Sequence, residues 1–156
     1  MNILKKLIAR QSDNEPFVPD SKFQRPSTPV ELTVNNFNLT IGNQKILDNI
    51  NLHIPCNQIT CIIGPSGCGK STLLRSMNRL TDNIEGVHIE GSICLGDKNI
   101  TAASESELVE LRRRIGLVPQ RPTPLPMSIL NNVVYGCKIH GLKNSRQLRK
   151  IARHYL

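Results

Sequence analysis

The chain has 156 residues, of which 38% are hydrophobic, 3% aromatic and 21% charged; this length suits one domain with a hydrophobic core, and no run approaches the roughly 18 apolar residues of a membrane-spanning helix. Twenty basic and twelve acidic residues give a net charge of +8, yet residues 111–156 carry ten Lys or Arg and no Asp or Glu. Chemistry that needs a carboxylate in that segment is excluded, and five scattered cysteines without a C-x-x-C pair favour reduced thiols over disulfides or a zinc site.

Residues 1–29 are predicted to form a flexible polar leader. They contain four prolines, which lack a backbone donor and favour extended geometry. They show neither an uninterrupted apolar stretch nor a small-residue cleavage site, so a secretory signal peptide is not expected.

Residues 30–54 carry the pattern of an antiparallel β subdomain. Residues 30–34 alternate apolar and polar side chains, and residues 46–54 do so in part. The dipeptide Gly42-Asn43 between the two runs is typical of a turn.

The next two elements are predicted to be a strand and a helix. Residues 59–63 are almost all apolar or β-branched, which indicates a strand buried on both faces of a sheet. Residues 70–80 show helical periodicity, with one apolar stripe. That stripe consists of Leu73, Leu74, Met77 and Leu80.

Four further elements complete the prediction. Residues 91–97 indicate a short strand that ends in a turn, and residues 104–114 a helix with a possible capping box at Ser104 and Glu107. Residues 115–118 indicate a second buried strand, and residues 145–156 a final helix. The predicted class is α/β, with an antiparallel β subdomain before a parallel core.

Residues 64–71 read Gly-Pro-Ser-Gly-Cys-Gly-Lys-Ser and satisfy the phosphate-loop pattern G-x-x-x-x-G-K-[ST]. The glycines allow the backbone to curl with its N–H groups directed into one concavity, which suits a polyphosphate. Lys70 can reach the terminal phosphates, Ser71 can place a hydroxyl on Mg²⁺, and Thr72 can donate to a nearer phosphate. The position between a predicted strand and a predicted helix is the context that this motif requires.

From residue 30 to residue 155 the sequence resembles the ATP-binding subunits of ABC transporters. The shared features occur in order: Leu-Asp-Asn-Ile-Asn-Leu at 47–52, the phosphate loop extended to Leu-Leu-Arg at 73–75, and Arg-Arg-Arg-Ile-Gly-Leu-Val-Pro-Gln at 112–120. The resemblance is closest to the phosphate-import branch, through the proline-rich run at 121–136 and Asn-Arg-Leu at 78–80.

The resemblance implies ATP and Mg²⁺ as ligands and a P-loop NTPase fold. It assigns the ATP phosphates to Gly64, Pro65, Ser66, Gly67, Cys68, Gly69, Lys70, Ser71 and Thr72. Gln120 corresponds to the Q-loop glutamine, which positions Mg²⁺ and the attacking water, and Ser71 is a second Mg²⁺ ligand. The implied partners are transmembrane permease subunits and a second ATP-binding subunit in a head-to-tail dimer, at the cytoplasmic face of the cell membrane.

Two features depart from the family pattern. Thr40 and Ile41 precede Gly42 where the family commonly stacks an aromatic ring on adenine, and the nearest aromatic residue is Phe37. The signature L-S-G-G-Q and an apolar strand ending in Asp-Glu do not occur, and His140 and His154 lack the context of a switch histidine. We therefore expect residues 30–156 to be the N-terminal part of an ATP-binding domain, truncated in a helical subdomain that starts at 121, and inactive alone in hydrolysis.

Three alternatives remain open from the sequence. The chain could belong to an ABC ATPase for another solute. It could be a P-loop protein that binds nucleic acid through its basic C-terminal third, although that third contains only two tyrosines able to stack on bases, and no nucleic-acid partner is expected. A nucleotide kinase would need a lid and acceptor residues that are not recognisable.

Overall fold

A computed structural model describes residues 30–156, so the predicted leader at 1–29 lies outside the described residues. The described chain forms two compact units, residues 30–120 and residues 121–156. Each unit is described by itself below.

The first unit is built on an antiparallel sheet. Its strands are β1 (Leu32–Ile41), β2 (Gln44–Ile54), β3 (Val87–Leu95) and the short β4 (Lys98–Asn99), in the order β2-β1-β3-β4. β1 and β2 pair from Leu32 opposite Ile54 to Ile41 opposite Gln44. These two strands form a hairpin, which confirms the predicted antiparallel pairing and its turn. The strand predicted at 91–97 begins earlier than expected.

A bulge in β1 sets which side chains reach the core. Val34, Phe37 and Leu39 are all buried, although strict alternation would place Val34 and Phe37 on opposite faces. The register shifts between Val34 and Phe37, and Asn36 within the shift adopts a left-handed backbone with φ 46°. The Asn36 N–H donates to Asn51 Oδ1 at 2.9 Å, which holds the bulge against β2.

Two helices pack against this sheet. The first, α1 (Lys70–Ser76), is shorter than predicted because the chain turns sharply at Arg79, whose φ is 55°. Leu73 and Met77 are buried as predicted, whereas Leu74 and Leu80 are exposed and were wrongly assigned to the buried stripe. Leu80–Asn83 instead forms a 3₁₀ turn.

The second helix, α2 (Glu105–Arg114), begins at the predicted capping box. Glu107 Oε2 accepts the backbone N–H of Ser104 at 2.8 Å and the Ser104 hydroxyl at 2.6 Å. These two hydrogen bonds, the side-chain one first, hold the pKa of Glu107 below its ordinary value. The cap fixes the N-terminal end of α2, so that Leu108 and Leu111 face the core.

The prediction of two strands in a parallel core, at residues 59–63 and 115–118, is wrong. Residues 59–63 and 116–118 have no regular secondary structure, and Ile59, Ile63 and Val118 are each at least 89% exposed. An inner strand is stabilised by hydrogen-bonded neighbours on both sides and by packing on both faces. Within residues 30–156 no strand pairs with either segment, so that stabilisation is missing.

The core of the first unit lies between the sheet and its helices. Phe37, Leu39, Ile93 and Ile100 are fully buried there. The remaining buried apolar members are Val34, Leu47, Leu73, Met77, Leu108 and Leu111. The core thus joins the hairpin to α1, the helix that follows the phosphate loop.

The second unit consists of two helices, α3 (Ile129–Ile139) and α4 (Ser145–Tyr155). α3 is capped by Ser128, and α4 by Asn144, whose Oδ1 accepts the N–H groups of Arg146 at 2.9 Å and Gln147 at 3.2 Å. Val134, Leu148 and Ala152 form their shared core. The helix predicted at 145–156 is confirmed, whereas the sequence pattern did not define α3.

Candidate functional site: the phosphate loop

The phosphate-loop motif forms a turn that leads directly into α1. Residues 64–69 lie outside regular structure and α1 begins at Lys70, with Gly69 as its N-cap. The Leu73 N–H donates to Gly69 O at 2.8 Å and closes the first helical turn. The motif is therefore contiguous in space and followed by the predicted helix, although the strand predicted before it has not formed.

The Lys70 ammonium is held against the loop. Nζ donates to Gly64 O at 2.9 Å and to Pro65 O at 2.5 Å, and it lies 3.5 Å from Cys68 Sγ. The side chain is half-buried, so its charge is fixed within the turn instead of extending into solvent. A cation fixed beside a glycine-rich backbone turn is the arrangement expected for binding a phosphate group.

Two glycines of the loop are required by its backbone geometry. Gly67 and Gly69 have φ values of +82° and +92°, which residues with side chains rarely adopt. A Cβ at Gly64 would lie 2.9 Å from Sγ of the exposed Cys68, a side-chain atom that can move away, so Gly64 is less strictly required.

Two arginines anchor the end of α1 that lies away from the loop. The Arg79 guanidinium pairs with Asp82 at 2.6 Å and donates to the carbonyl of Ala103. Arg112 of α2 donates to Asn78 O at 3.2 Å, and also to Arg79 O at 3.2 Å. These contacts fix the helix that carries Lys70 to the turn before α2, a function of Arg79 and Arg112 that their sequence positions did not reveal.

The oxygen-bearing side chains of the predicted Mg²⁺ site are exposed. Ser71 lies in the first turn of α1, and Gln120 ends the irregular segment 116–120. Hydroxyl and amide oxygens are suitable ligands for Mg²⁺, which prefers oxygen donors and shares its coordination with phosphates. In the described part of the chain no hydrogen bond joins Gln120 to Ser71 or Lys70.

The side of the loop expected to face adenine is aliphatic. Phe37 is fully buried in the core and is not available to stack on a base. Ile41 is half-buried at the end of β1, and the Gly42 N–H donates to Gly86 O at 3.0 Å across the turn. The hairpin reaches the phosphate loop, because a Cβ at Gly69 would lie 3.2 Å from Ile46 O.

The two histidines of the C-terminal segment are surface residues, as the sequence predicts. His140 and His154 are exposed on the second unit. Residues 30–156 contain no group of three or more His, Cys, Asp or Glu placed to hold a metal ion. In that same range, no helix has the length and apolar character needed to cross a membrane.

Comparison with known proteins gives close relatives. Residues 47–155 match the family described as ABC transporter. The phosphate import ATP-binding protein PstB of Colwellia psychrerythraea is 48% identical over 127 residues, which cover 81% of this chain and 45% of that protein. PstB of Borreliella afzelii is 45% identical over 132 residues, covering 85% and 50%. PstB 1 of Vibrio vulnificus is 46% identical over 123 residues, covering 79% and 45%. The chain spans about half the length of the curated relatives it matches.

Proposed function

Because the chain belongs to the ABC transporter ATP-binding family, with the P-loop NTPase fold predicted from its sequence, we propose that it acts in an ATP-binding subunit of a phosphate importer. Phosphate is the solute named for the relatives that are 45–48% identical to it. The proposal also assigns 30–156 to the N-terminal part of the ATP-binding domain, with residues 121–156 at the start of its helical subdomain.

The observation that carries the proposal is the position of Lys70 in the phosphate loop. Its ammonium lies 2.9 Å from Gly64 O and 2.5 Å from Pro65 O, within reach of any phosphate bound by the same turn. The loop N–H groups and Lys70 would bind the phosphates of ATP, with Thr72 as a further donor. Ile41 would give the base apolar contact without stacking, which lowers the affinity for adenine by about 1 kcal/mol relative to an aromatic ring.

Mg²⁺ would be held by the hydroxyl of Ser71 and the side-chain oxygen of Gln120. Bound Mg²⁺ neutralises charge on the phosphate oxygens. Gln120 would also orient the attacking water and link the nucleotide state to the region that contacts the membrane subunit. For Gln120 to reach the loop, residues 116–120 must become ordered beside it, because they have no regular structure here.

The partners follow from the same proposal. Transmembrane permease subunits of the importer would bind the chain at the cytoplasmic face of the cell membrane, and a second ATP-binding subunit would pair with it head to tail. Co-purification tests the solute: the chain should co-purify with the permease subunits of a phosphate importer. Co-purification with the permease subunits of an importer for another solute instead would contradict the assignment of phosphate.

A polypeptide of these 156 residues is expected to bind ATP without hydrolysing it. No carboxylate follows Gln120 within them, so a general base beyond the Q-loop is missing. That loss removes roughly 10²–10⁴-fold in rate. Turnover above background by the purified polypeptide would contradict this part of the proposal.

Nucleotide binding is tested by replacing the loop lysine. Lys70→Ala removes a charged hydrogen-bond donor worth about 1.5–3 kcal/mol and should weaken binding of a fluorescent ATP analogue roughly 10- to 150-fold. Lys98→Ala is the matched control, because Lys98 is an exposed lysine on β4. Circular dichroism of both variants confirms that they fold. Equal affinity of the Lys70 and Lys98 variants would refute the assignment of the phosphate loop.

A further inference from the structure

One face of α4 carries a stripe of cations. Arg146, Arg149, Lys150 and Arg153 follow the spacing i, i+3, i+4 and i+7, which places all four on one side of a helix. All four are exposed. At 1.5 Å per residue the basic stripe, defined by these four residues, is about 10 Å long.

The basic stripe is held toward solvent by the opposite face of the same helix. Leu148, Ile151 and Ala152 are buried, and Leu148 and Ala152 pack against Val134 of α3. Asn144 caps the N-terminal end of α4. If the helix rotated about its axis, these buried apolar side chains would become exposed to water, which is unfavourable. The basic stripe is therefore kept on the surface.

We infer that the basic stripe binds an anionic lipid surface. Residues 121–156 contain seven Lys or Arg and no Asp or Glu, and the three arginines of the stripe, Arg146, Arg149 and Arg153, carry the inference. The apolar face of α4 is already buried, so the helix rests on the headgroups by charge attraction and does not insert. The choice of lipid rests on the proposed function, which places the protein at the cytoplasmic face of a membrane.

Nucleic acid fits the basic stripe less well. The only Phe, Tyr or Trp side chains in residues 121–156 are Tyr135 and Tyr155. Tyr135 lies on α3, and Tyr155 shares the side of α4 that carries Leu148, Ile151 and Ala152. The stripe therefore presents cations without the stacking platforms that single-stranded nucleic acid uses.

The inference is tested with vesicles and charge variants of the full 156-residue chain. The stripe variant is Arg146→Gln/Arg149→Gln/Arg153→Gln. The control variant, Lys45→Gln/Lys98→Gln/Arg114→Gln, removes the same charge from exposed positions of the first unit. Binding is measured by co-sedimentation with phosphatidylglycerol–phosphatidylcholine vesicles and with pure phosphatidylcholine vesicles.

We expect the unchanged chain to bind only the anionic vesicles. Each cation near such a surface contributes about fivefold in affinity, so the stripe variant should bind on the order of 100-fold more weakly and the control variant within a few-fold of the unchanged chain. Raising the salt from about 0.1 M to about 1 M shortens the Debye length from about 10 Å to about 3 Å and should abolish binding. A charge-preserving Arg146→Lys/Arg149→Lys/Arg153→Lys variant should retain it.

Three results would overturn the inference: no binding of the unchanged chain to anionic vesicles, equal losses in the stripe and control variants, or tighter binding to an RNA or DNA oligonucleotide at the same salt. Binding of a fluorescent ATP analogue is measured on the same proteins and should not change in the stripe variant. If the chain binds anionic vesicles but not the ATP analogue, the phosphate-loop proposal is wrong and the inference that the basic stripe binds lipid is supported.

Discussion

The two left-handed glycines of the phosphate loop offer a matched pair of substitutions. Gly67 and Gly69 have similar φ values, +82° and +92°. A Cβ at Gly67 would meet no atom within 4 Å, whereas one at Gly69 would lie 2.7 Å from Leu47 Cδ2 and 3.2 Å from Ile46 O. Gly67→Ala therefore measures backbone strain alone, and Gly69→Ala measures the same strain together with contact against β2.

The structure gives a different magnitude for each variant. A left-handed conformation costs an alanine about 1–2 kcal/mol, so Gly67→Ala should lower the free energy of unfolding by about that amount. Gly69→Ala adds an overpacking penalty of about 1–3 kcal/mol, because Leu47 belongs to the core and Ile46 O is a backbone atom of a paired strand. The expected total for Gly69→Ala is about 2–5 kcal/mol.

Urea unfolding followed by circular dichroism measures both values. Gly116→Ala is the background control, since a Cβ there meets nothing within 4 Å and its φ is not positive. Gly69→Ala must be the more destabilising of the two loop variants. Equal losses, or a larger loss for Gly67→Ala, would show that the loop does not rest on the hairpin as described.

Two further predictions concern the framework of the first unit. Gly91→Ala should lower the free energy of unfolding by at least about 2 kcal/mol, because φ at Gly91 is +82° and a Cβ there would collide with Asn36 O. A urea titration measures the change, and an unchanged unfolding midpoint would rule out the bulge geometry. Glu107→Gln should destabilise α2 at neutral pH. The lowered pKa of Glu107 means that its charge stabilises the fold above the ordinary glutamate range, near 4.3, and that this contribution is lost as the pH falls through the lowered pKa. The thermal midpoints of the variant and the unchanged chain are compared across pH. If the difference between them stays constant down to acid pH, the charge of Glu107 is not the cause of the stabilisation.

The hairpin was predictable because its determinants are local. Alternation of side chains and the Gly42-Asn43 turn need no partner outside the segment. The bulge was not predictable in the same way, since it depends on Asn36 bonding to Asn51 on the next strand and on Gly91 across the sheet. In the sequence, the only partial alternation of apolar residues in β2 is consistent with a shift in register between β1 and β2.

The two buried strands were mispredicted for a nonlocal reason. An apolar β-branched run indicates that a segment favours a sheet interior, but the strand forms only when neighbouring strands satisfy its backbone groups. Residues 59–63 and 115–118 have that composition without such neighbours in the described chain. The composition of a segment therefore indicates that it favours a sheet interior, but a strand forms only where neighbouring strands pair with it.

The phosphate loop depends on local sequence, whereas the position of Gln120 depends on nonlocal structure. The phosphate loop lies within nine consecutive residues, and the glycines and Lys70 that shape it interact with one another, so its geometry follows from the motif. Gln120 lies 50 residues after Lys70, and it can act on the same phosphates only if the segment before it is ordered beside the loop. Its position at the end of an irregular, exposed segment therefore makes Gln120 the part of the site most dependent on further strands. Under the roles proposed for the two residues, Lys70→Ala should weaken binding of a fluorescent ATP analogue, whereas Gln120→Ala should leave that affinity unchanged in a polypeptide of these 156 residues. A similar loss of affinity in both variants would contradict this separation of roles.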